Sequence, residues 1–393
     1  MSATRSLIAP SANPLLERAL QEKLQRRSAA IGSLGELEPL ALRLGLMMNT
    51  LKPSFVDPQL IVFAADHGIA VEGLTAPGQP TTAEQVEQLL AGRWPMAVYA
   101  RTQGLDLSVV DCGIAADMRT HDRLLMRKIA HGTRNPRAVA AMTVDQAHAA
   151  MRAGMEIGDS LRGNVLVCAG LGVGGDESAA LVLSRLCDVP VRELAGDPQR
   201  QPAGQAMPLS GVLQAAQSRH RNVVDPVEVL AAFGGFEMAV MVGAMLVAAS
   251  KRHLLMVDGL PACAALMTAS RIATPVTDYC IFCRSHSHRG LTRALALFRA
   301  SALLELGLEC ADGTGATLSW PLVRSAAALL TEVAEGEDPG PTQPGAMAAS
   351  EGAPLAATAG VAGPDSGLAA PAARIDAAVA AAAGVDVAGR GAR

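Results

Sequence analysis

The run Leu60-Ile-Val-Phe-Ala-Ala65, closed by Asp66-His67-Gly68, is the stretch from which the fold is read. A strand with one wet face would alternate apolar and polar residues, so this unbroken apolar run predicts a strand covered on both faces. The polar residues and the glycine then turn the chain away. The same order recurs in Leu107-Ser-Val-Val-Asp111, in Val165-Leu-Val-Cys168 before a glycine-rich stretch, in Leu254-Leu-Met-Val257 before Asp258-Gly259, and in Tyr279 to Cys283 before a histidine loop. Longer segments with helical spacing lie between them. Short apolar strands alternating with helices predict an α/β protein built on a parallel sheet with helices on both faces. Ligands of such sheets bind beyond the carboxyl ends of the strands, so Asp66, Asp111, Gly172, Asp258, His286 and Asp312 are expected to face one crevice. Each of them taken singly also reads as a turn residue or helix cap.

Outward from the strands, residues 11 to 50 carry Leu15, Leu16, Leu20 and Leu24 at helical spacing, a break at Gly32-Ser-Leu-Gly35, and a second helical stretch from Leu37 to Leu46. Thr81 to Arg101 reads as one helix. Gly235 to Ala249 is apolar almost all round, which predicts burial in the core or against a second subunit. Beyond Glu335 the composition shifts to alanine, glycine and proline. The expected organisation is therefore a helical N-terminal arm or subdomain over 1–50, an α/β domain over 51–334, and a disordered tail over 335–393.

With 50% hydrophobic and 18% charged residues in 393, the chain has the composition of a globular protein with a large core. A net charge of −4 and an aromatic content of 3% exclude an extended nucleic-acid footprint or a base-stacking surface. The N-terminal residues do not read as a signal peptide, and no apolar run is long enough to span a bilayer. Seven cysteines, scattered through apolar segments, predict reduced thiols and a cytoplasmic location. Cys280, Cys283, His286 and His288 have the ligand types of a metal site, but structural zinc ligands come as two separated pairs, so no metal is expected there.

One further stretch carries chemistry. In Leu306-Gly-Leu-Glu-Cys-Ala-Asp312-Gly-Thr-Gly-Ala316, a carboxylate precedes a Gly-x-Gly turn. Its glycines permit close backbone approach, Thr314 offers a hydroxyl and Asp312 an acid or base. Such a turn is also ordinary loop chemistry, so the stretch alone does not decide.

Taken in order, Gly32-Ser-Leu-Gly-Glu-Leu-Glu38, Phe63-Ala-Ala-Asp-His-Gly68, Val110-Asp-Cys-Gly113, Gly132-Thr-Arg-Asn135, Asp225-Pro-Val-Glu-Val-Leu230, Phe233-Gly-Gly-Phe-Glu237, Val257-Asp-Gly259 and Asp312-Gly-Thr-Gly-Ala316 give the chain a likeness over roughly residues 30 to 334. It resembles the nicotinate-nucleotide:dimethylbenzimidazole phosphoribosyltransferase family, which makes the lower-ligand nucleotide of cobalamin. The resemblance implies a Rossmann-like sheet with a smaller helical part and a dimer, homo- or heteromeric. It implies attack of a benzimidazole nitrogen on the anomeric carbon of nicotinate mononucleotide, with Asp312 as the base that takes the proton and no cofactor. Asp66, Thr75, Glu84, Gly172, Gly174, Gly175, Asp258, Gly313, Thr314 and Gly315 would contact an aromatic base and a nicotinate nucleotide.

The chain departs from the family pattern where the chemistry lies. The family's base is glutamate, and Asp312 reaches about one ångström less, a misplacement that can cost on the order of a hundredfold in rate. The family's Gly-Glu-Met-Gly-Ile-Gly-Asn-Thr-Thr is met here by Ala169-Gly-Leu-Gly-Val-Gly-Gly-Asp-Glu177, with acids where hydroxyls would hold a phosphate. Arginine, lysine and hydroxyl residues of the phosphoribosyl side find no counterpart in Ala195-Gly-Asp-Pro-Gln199 or Leu209-Ser-Gly-Val-Leu213. The expectation is weak or absent activity with nicotinate mononucleotide. The alternative is a catalytically degenerate binding or partner subunit of an intact transferase.

Overall fold

The protein's computed structural model describes residues 8–73, 78–196, 208–285 and 289–333. The six strands are β1 (Gln59–Ala65), β2 (Asp106–Gly113), β3 (Leu124–Met126), β4 (Val165–Leu171), β5 (Leu254–Asp258) and β6 (Cys280–Phe282). All pair in parallel in the order β3-β2-β1-β4-β5-β6. This is the doubly wound arrangement of the Rossmann-like class. The chain starts in the middle, runs outward through β2 and β3, then returns to lay β4 on the other side of β1.

The apolar runs have the physical cause that the sequence implied. Every residue of β4 and β5, and all of β1 after Gln59, is buried, because helices cover both sides. Along β4, a Cβ at Gly170 would meet Met241 and Pro261, whereas the neighbouring Ala169 approaches Gly313 and Met96 lies beside it. Successive side chains point to opposite faces. One face therefore carries the helices Phe236–Ser250 and Leu260–Ile272, and the other carries Pro95–Gln103 and Thr314–Thr331. β3 was not signalled in the sequence, since it is a three-residue edge strand with two exposed positions.

The N-terminal helices form as expected, at Pro14–Ile31 and Leu37–Met47, with Leu20 and Leu24 buried but Leu15 exposed. They belong to the same compact unit as the sheet and pack on Thr314–Thr331. Arg27 Nε donates to Val333 O at 2.8 Å. The segment read as one helix from Thr81 to Arg101 is two, Thr82–Leu90 and Pro95–Gln103. Gly92 at φ +75° ends the first, and Pro95, with no amide proton to donate, starts the second. The tail from 335 lies outside the described residues, and among the described residues no helix is long and apolar enough to cross a membrane.

Helix Phe236–Ser250 is buried within this chain, between the sheet and helix Val144–Asp159. Its mate presents Gly154, which has no room for a side chain because a Cβ would lie 1.9 Å from Val240 O. Gly243 is the reciprocal contact, 1.9 Å from Met151 O. The two backbones thus touch, and the small residues seen in the sequence are the reason. Gly243→Ala gains helix propensity of about 1 kcal/mol, but the methyl group must push a backbone carbonyl aside, at about 1–3 kcal/mol for overpacking. The expected outcome is net destabilisation, read as a lower midpoint in urea unfolding with an unchanged slope.

Candidate functional site

The strand order reverses between β1 and β4, and the crevice opens at their carboxyl ends. Asp66 follows β1. Its Oδ1 accepts from Thr82 Oγ1 at 2.5 Å and its Oδ2 from the amide of Ala115 at 2.7 Å. Thr82 Oγ1 in turn accepts from the amide of Val173 at 3.1 Å. This chain of bonds pins three loops around the crevice, and it leaves the Asp66 carboxylate fully engaged in holding them.

Beside it lies a cavity of about 260 Å³, lined by the glycine loop through Gly172, Gly174 and Gly175, by Gln79 and Gln85, and by four carboxylates: Asp176, Glu177, Glu237 and Asp312. Among the described residues no lysine or arginine lines it. Asp176 and Glu177 occupy the first turn of helix Gly175–Cys187, where the helix dipole favours negative charge. Burial, reinforced by the neighbouring Asp176 carboxylate, pushes the pKa of Glu177 up to about 7.

Arg284 stands behind the cavity wall, 4% exposed. Its Nε donates to Asp258 Oδ1 at 2.7 Å, its Nη2 to Asp312 Oδ1 at 2.8 Å and its Nη1 to Leu308 O at 3.0 Å. Burial opposes its charge, but Asp258 and Asp312 outweigh that and raise its pKa. Asp258 Oδ2 accepts the amides of Gly313 and Ala316 at 2.8 and 3.0 Å, capping helix Thr314–Thr331 from a distant strand. Gly259, at φ +100°, lets this assembly close, because a Cβ there would lie 1.9 Å from Asp312 Oδ2. Burial, with Asp176 added, raises the pKa of Asp312 well above the ordinary carboxylate value despite the opposing pull of Arg284. Among the described residues, no donor reaches its Oδ2.

On the far side of the glycine loop, His67 Nε2 lies 3.1 Å from Glu237 Oε1, both side chains 1% exposed, and His67 Nδ1 contacts Ser178 Oγ at 3.0 Å. Burial lowers the His67 pKa, but the Glu237 charge and contact reverse the sign and raise it. Glu237 Oε2 has no hydrogen-bond partner among the described residues. It is a buried acceptor at the cavity wall.

Of the expected site residues, the structure brings Asp312, Gly172, Gly174 and Gly175 together at the cavity. Asp66 and Asp258 sit at the strand ends as hydrogen-bonding anchors, and Gly313, Thr314 and Gly315 form the turn and first residues of the helix behind Asp312. Glu84 is exposed and closes a capping box with Thr81, which holds its pKa down. The adjacent Gln85 is the side chain that reaches the cavity. Asp111 is buried at the end of β2, accepting from the amide of Ile114. Thr75, His286 and His288 lie outside the described residues. The Cys280 and Cys283 thiols are buried, with their pKa values pushed up, and donate to Val276 O and Ile281 O. Arg284 and Glu237 were missed as site residues, although Glu237 stands in the quoted Phe233-Gly-Gly-Phe-Glu237 run.

In chemical terms, the cavity offers an elevated-pKa carboxylate with one open oxygen, several further acceptors, and a field that favours positive charge. Such a set can take a proton and stabilise a cationic sugar carbon. Comparison with known proteins agrees in kind. A family model described as "Phosphoribosyltransferase" matches residues 9–340. The nicotinate-nucleotide–dimethylbenzimidazole phosphoribosyltransferase of Dechloromonas aromatica is 40% identical over 331 residues, 83% of this chain and 95% of that protein. The protein of the same name from Cupriavidus taiwanensis is 40% identical over 329 residues, with 83% and 95% covered. A crystal structure of the Thermus thermophilus protein superposes with a TM-score of 0.75 at 28% identity, covering 81% of this chain and 96% of that one.

Removing the Arg284 guanidinium leaves Asp258 and Asp312 without their shared counter-charge, and breaking a buried pair costs about 3–5 kcal/mol. Arg284→Met is expected to lose that much in urea unfolding, whereas Arg123→Met, on a half-exposed side chain, changes little. Glu177 gives a pH signature. Its folded pKa of about 7 lies above its ordinary 4.5, so its contribution is fully present below 4.5 and is lost as pH rises through 7. The melting temperature is expected to fall over that window, and Glu177→Gln to flatten the fall.

Proposed function

The chain belongs to the nicotinate-nucleotide–dimethylbenzimidazole phosphoribosyltransferase family, and from that premise we propose that it transfers a phosphoribosyl unit from nicotinate mononucleotide to dimethylbenzimidazole or a related aromatic base, in cobalamin nucleotide-loop assembly. One observation carries the reading: the Asp312 carboxylate lines the cavity, with Oδ1 held by Arg284 at 2.8 Å and no donor on Oδ2 among the described residues. A benzimidazole nitrogen attacks C1′, and the bond from C1′ to the pyridinium nitrogen breaks with its electron pair returning to the ring. The second benzimidazole nitrogen then gives its proton to Asp312. A raised pKa makes this carboxylate a better proton acceptor near neutral pH than an ordinary one. The surrounding carboxylates stabilise positive charge as it develops at C1′.

The same proposal includes a dimer in the cytoplasm, the location supported by cysteines that are all free thiols. The acids at Asp176 and Glu177 support low turnover with a phosphorylated donor. They also favour a second reading, a binding subunit without catalysis, which predicts no turnover by the purified chain with any donor.

With a donor that supports turnover, Asp312→Asn should lower kcat by about 10²–10⁴ with little change in KM, the range for losing a general base. Asp312→Glu should retain activity. The base works deprotonated, so wild-type kcat should rise with pH through a pKa above the usual carboxylate range, and Asp312→Asn should remove that limb. Chromatographic quantification of the riboside or ribotide product checks all three. Equal kcat in Asp312→Asn would sink the assignment.

A further inference from the structure

Asp312 sits in a slot between Gly259 and Arg284. Its Cγ and Oδ2 lie against the glycine, where a Cβ would stand 2.0 and 1.9 Å away. Its Oδ1 accepts from Arg284 Nη2 at 2.8 Å, and the side chain, 17% exposed, lines the cavity. The arginine is itself immobilised from backbone to fork. The amide of Cys283 donates to Val257 O at 3.1 Å and that of Ser285 to Leu304 O at 2.9 Å, so the chain on either side of it is tied to β5 and to Leu304. Its stem lies against Gly315 in the first turn of helix Thr314–Thr331, where a Cβ would meet Arg284 Cδ at 2.5 Å and Cγ at 2.8 Å. Its Nε is on Asp258 and its Nη1 on Leu308 O.

Leu308 and Asp312 belong to the loop ahead of the last helix, and the guanidinium binds both while anchored on the sheet through Asp258. Its plane fixes the directions of these donors. A lysine ammonium keeps the charge but has no such fork, and does not span Asp258, Asp312 and Leu308 O together. Placement of this kind matters at a reacting group, since a displacement of about 1 Å costs about 100-fold in rate.

We propose that Arg284 is a positioning residue of the transfer: it acts through Asp312, holding that carboxylate at the point where the acceptor's proton arrives. This rests on the transfer reading above and deepens it. The groups facing Asp312 are Asp176 from helix Gly175–Cys187, Asp258 from β5, the Cys263 thiol from helix Leu260–Ile272, and Arg284. Arg284 is the cation of this set. Without its charge the Asp312 carboxyl stands among acids and keeps its proton to higher pH.

The test is kcat and KM of the full chain against pH, with nicotinate mononucleotide and dimethylbenzimidazole, for wild type, Arg284→Lys and Gly315→Ala, each substitution repeated in the Asp312→Asn background with product accumulated over hours. Arg284→Lys keeps the charge and loses the fork, so on the plateau above the acid limb it is expected to lower kcat by about 100-fold with KM little changed. Gly315→Ala keeps both charged groups and displaces the stem, and is expected to lower kcat in the same way. It also carries the test where an arginine variant does not fold. In the Asp312→Asn background each substitution should cost no more than about twofold, because the group it acts through is gone. Arg284→Met removes the charge as well and should move the limb to higher pH. Wild-type kcat in folded Arg284→Lys and Gly315→Ala, or losses as large in the Asp312→Asn background, overturn the inference, since a tie that served stability alone would act on both backgrounds. A wild-type chain that turns over no donor removes the transfer reading instead. The hold on Asp312 is then decided by the infrared carboxyl band that Asp312→Asn abolishes: it should titrate at higher pH in Arg284→Met than in wild type, and an unmoved band overturns the hold.

Discussion

One guanidinium ties three segments of the cavity wall together. Arg284, at the end of β6, reaches Asp258 at the end of β5 and Asp312 in the loop before the last helix, at 2.7 and 2.8 Å. Asp258 then turns its other oxygen to the amides of Gly313 and Ala316, so the start of helix Thr314–Thr331 is fixed to the sheet through a single side chain. A buried ion pair is poor evidence of net stability, because desolvation offsets much of the attraction. Its value here is geometric. Nη2 on one oxygen fixes the rotamer of Asp312 at the cavity wall.

The position of that triad follows from topology. Parallel strands deliver their carboxyl ends to one edge, and the strand order reverses there between β1 and β4. The polar groups there are held by each other instead: Asp66 through Thr82 to Val173, His67 through Glu237 and Ser178. Far from this edge the fold is tightened by apolar means, with Gly154 and Gly243 letting two helix backbones meet.

The strands were legible because complete burial removes alternation, and a run such as Leu60 to Ala65 has no other reading in a chain of this composition. The two N-terminal helices were legible from leucine spacing, and Asp312 from the glycines that follow it. What the sequence hid was pairing at a distance. Arg284 stands in a histidine-rich loop, 26 residues from Asp258 and 28 from Asp312 along the chain, and no local pattern marks it as their counter-ion. Glu84 was read as the cavity residue, but a Thr81-x-x-Glu84 spacing satisfies a helix N-terminus first, and the amide one residue later does the reaching. The break at Gly92 to Pro95 was visible as residue types, and helical spacing on both sides concealed it.

The acidic glycine loop and its surroundings agree with one another, and this bears on whether the loop is a damaged phosphate site. At position 170, where the resembling family carries glutamate, a Cβ would lie 2.7 Å from the ring of Pro261, so the glycine and the proline fit as a pair. The carboxylate absent there is matched by others in the same wall, at Asp176, Glu177 and Glu237. His67, its charge favoured by Glu237, sits directly behind and offsets part of that concentration of acid. Random loss would leave uncompensated clashes and orphaned groups scattered through the site. Here the proline fills the space and the histidine answers the buried glutamate. The glycine loop and the proline thus fit each other, and the acids beside them occupy a helix start where the dipole favours negative charge.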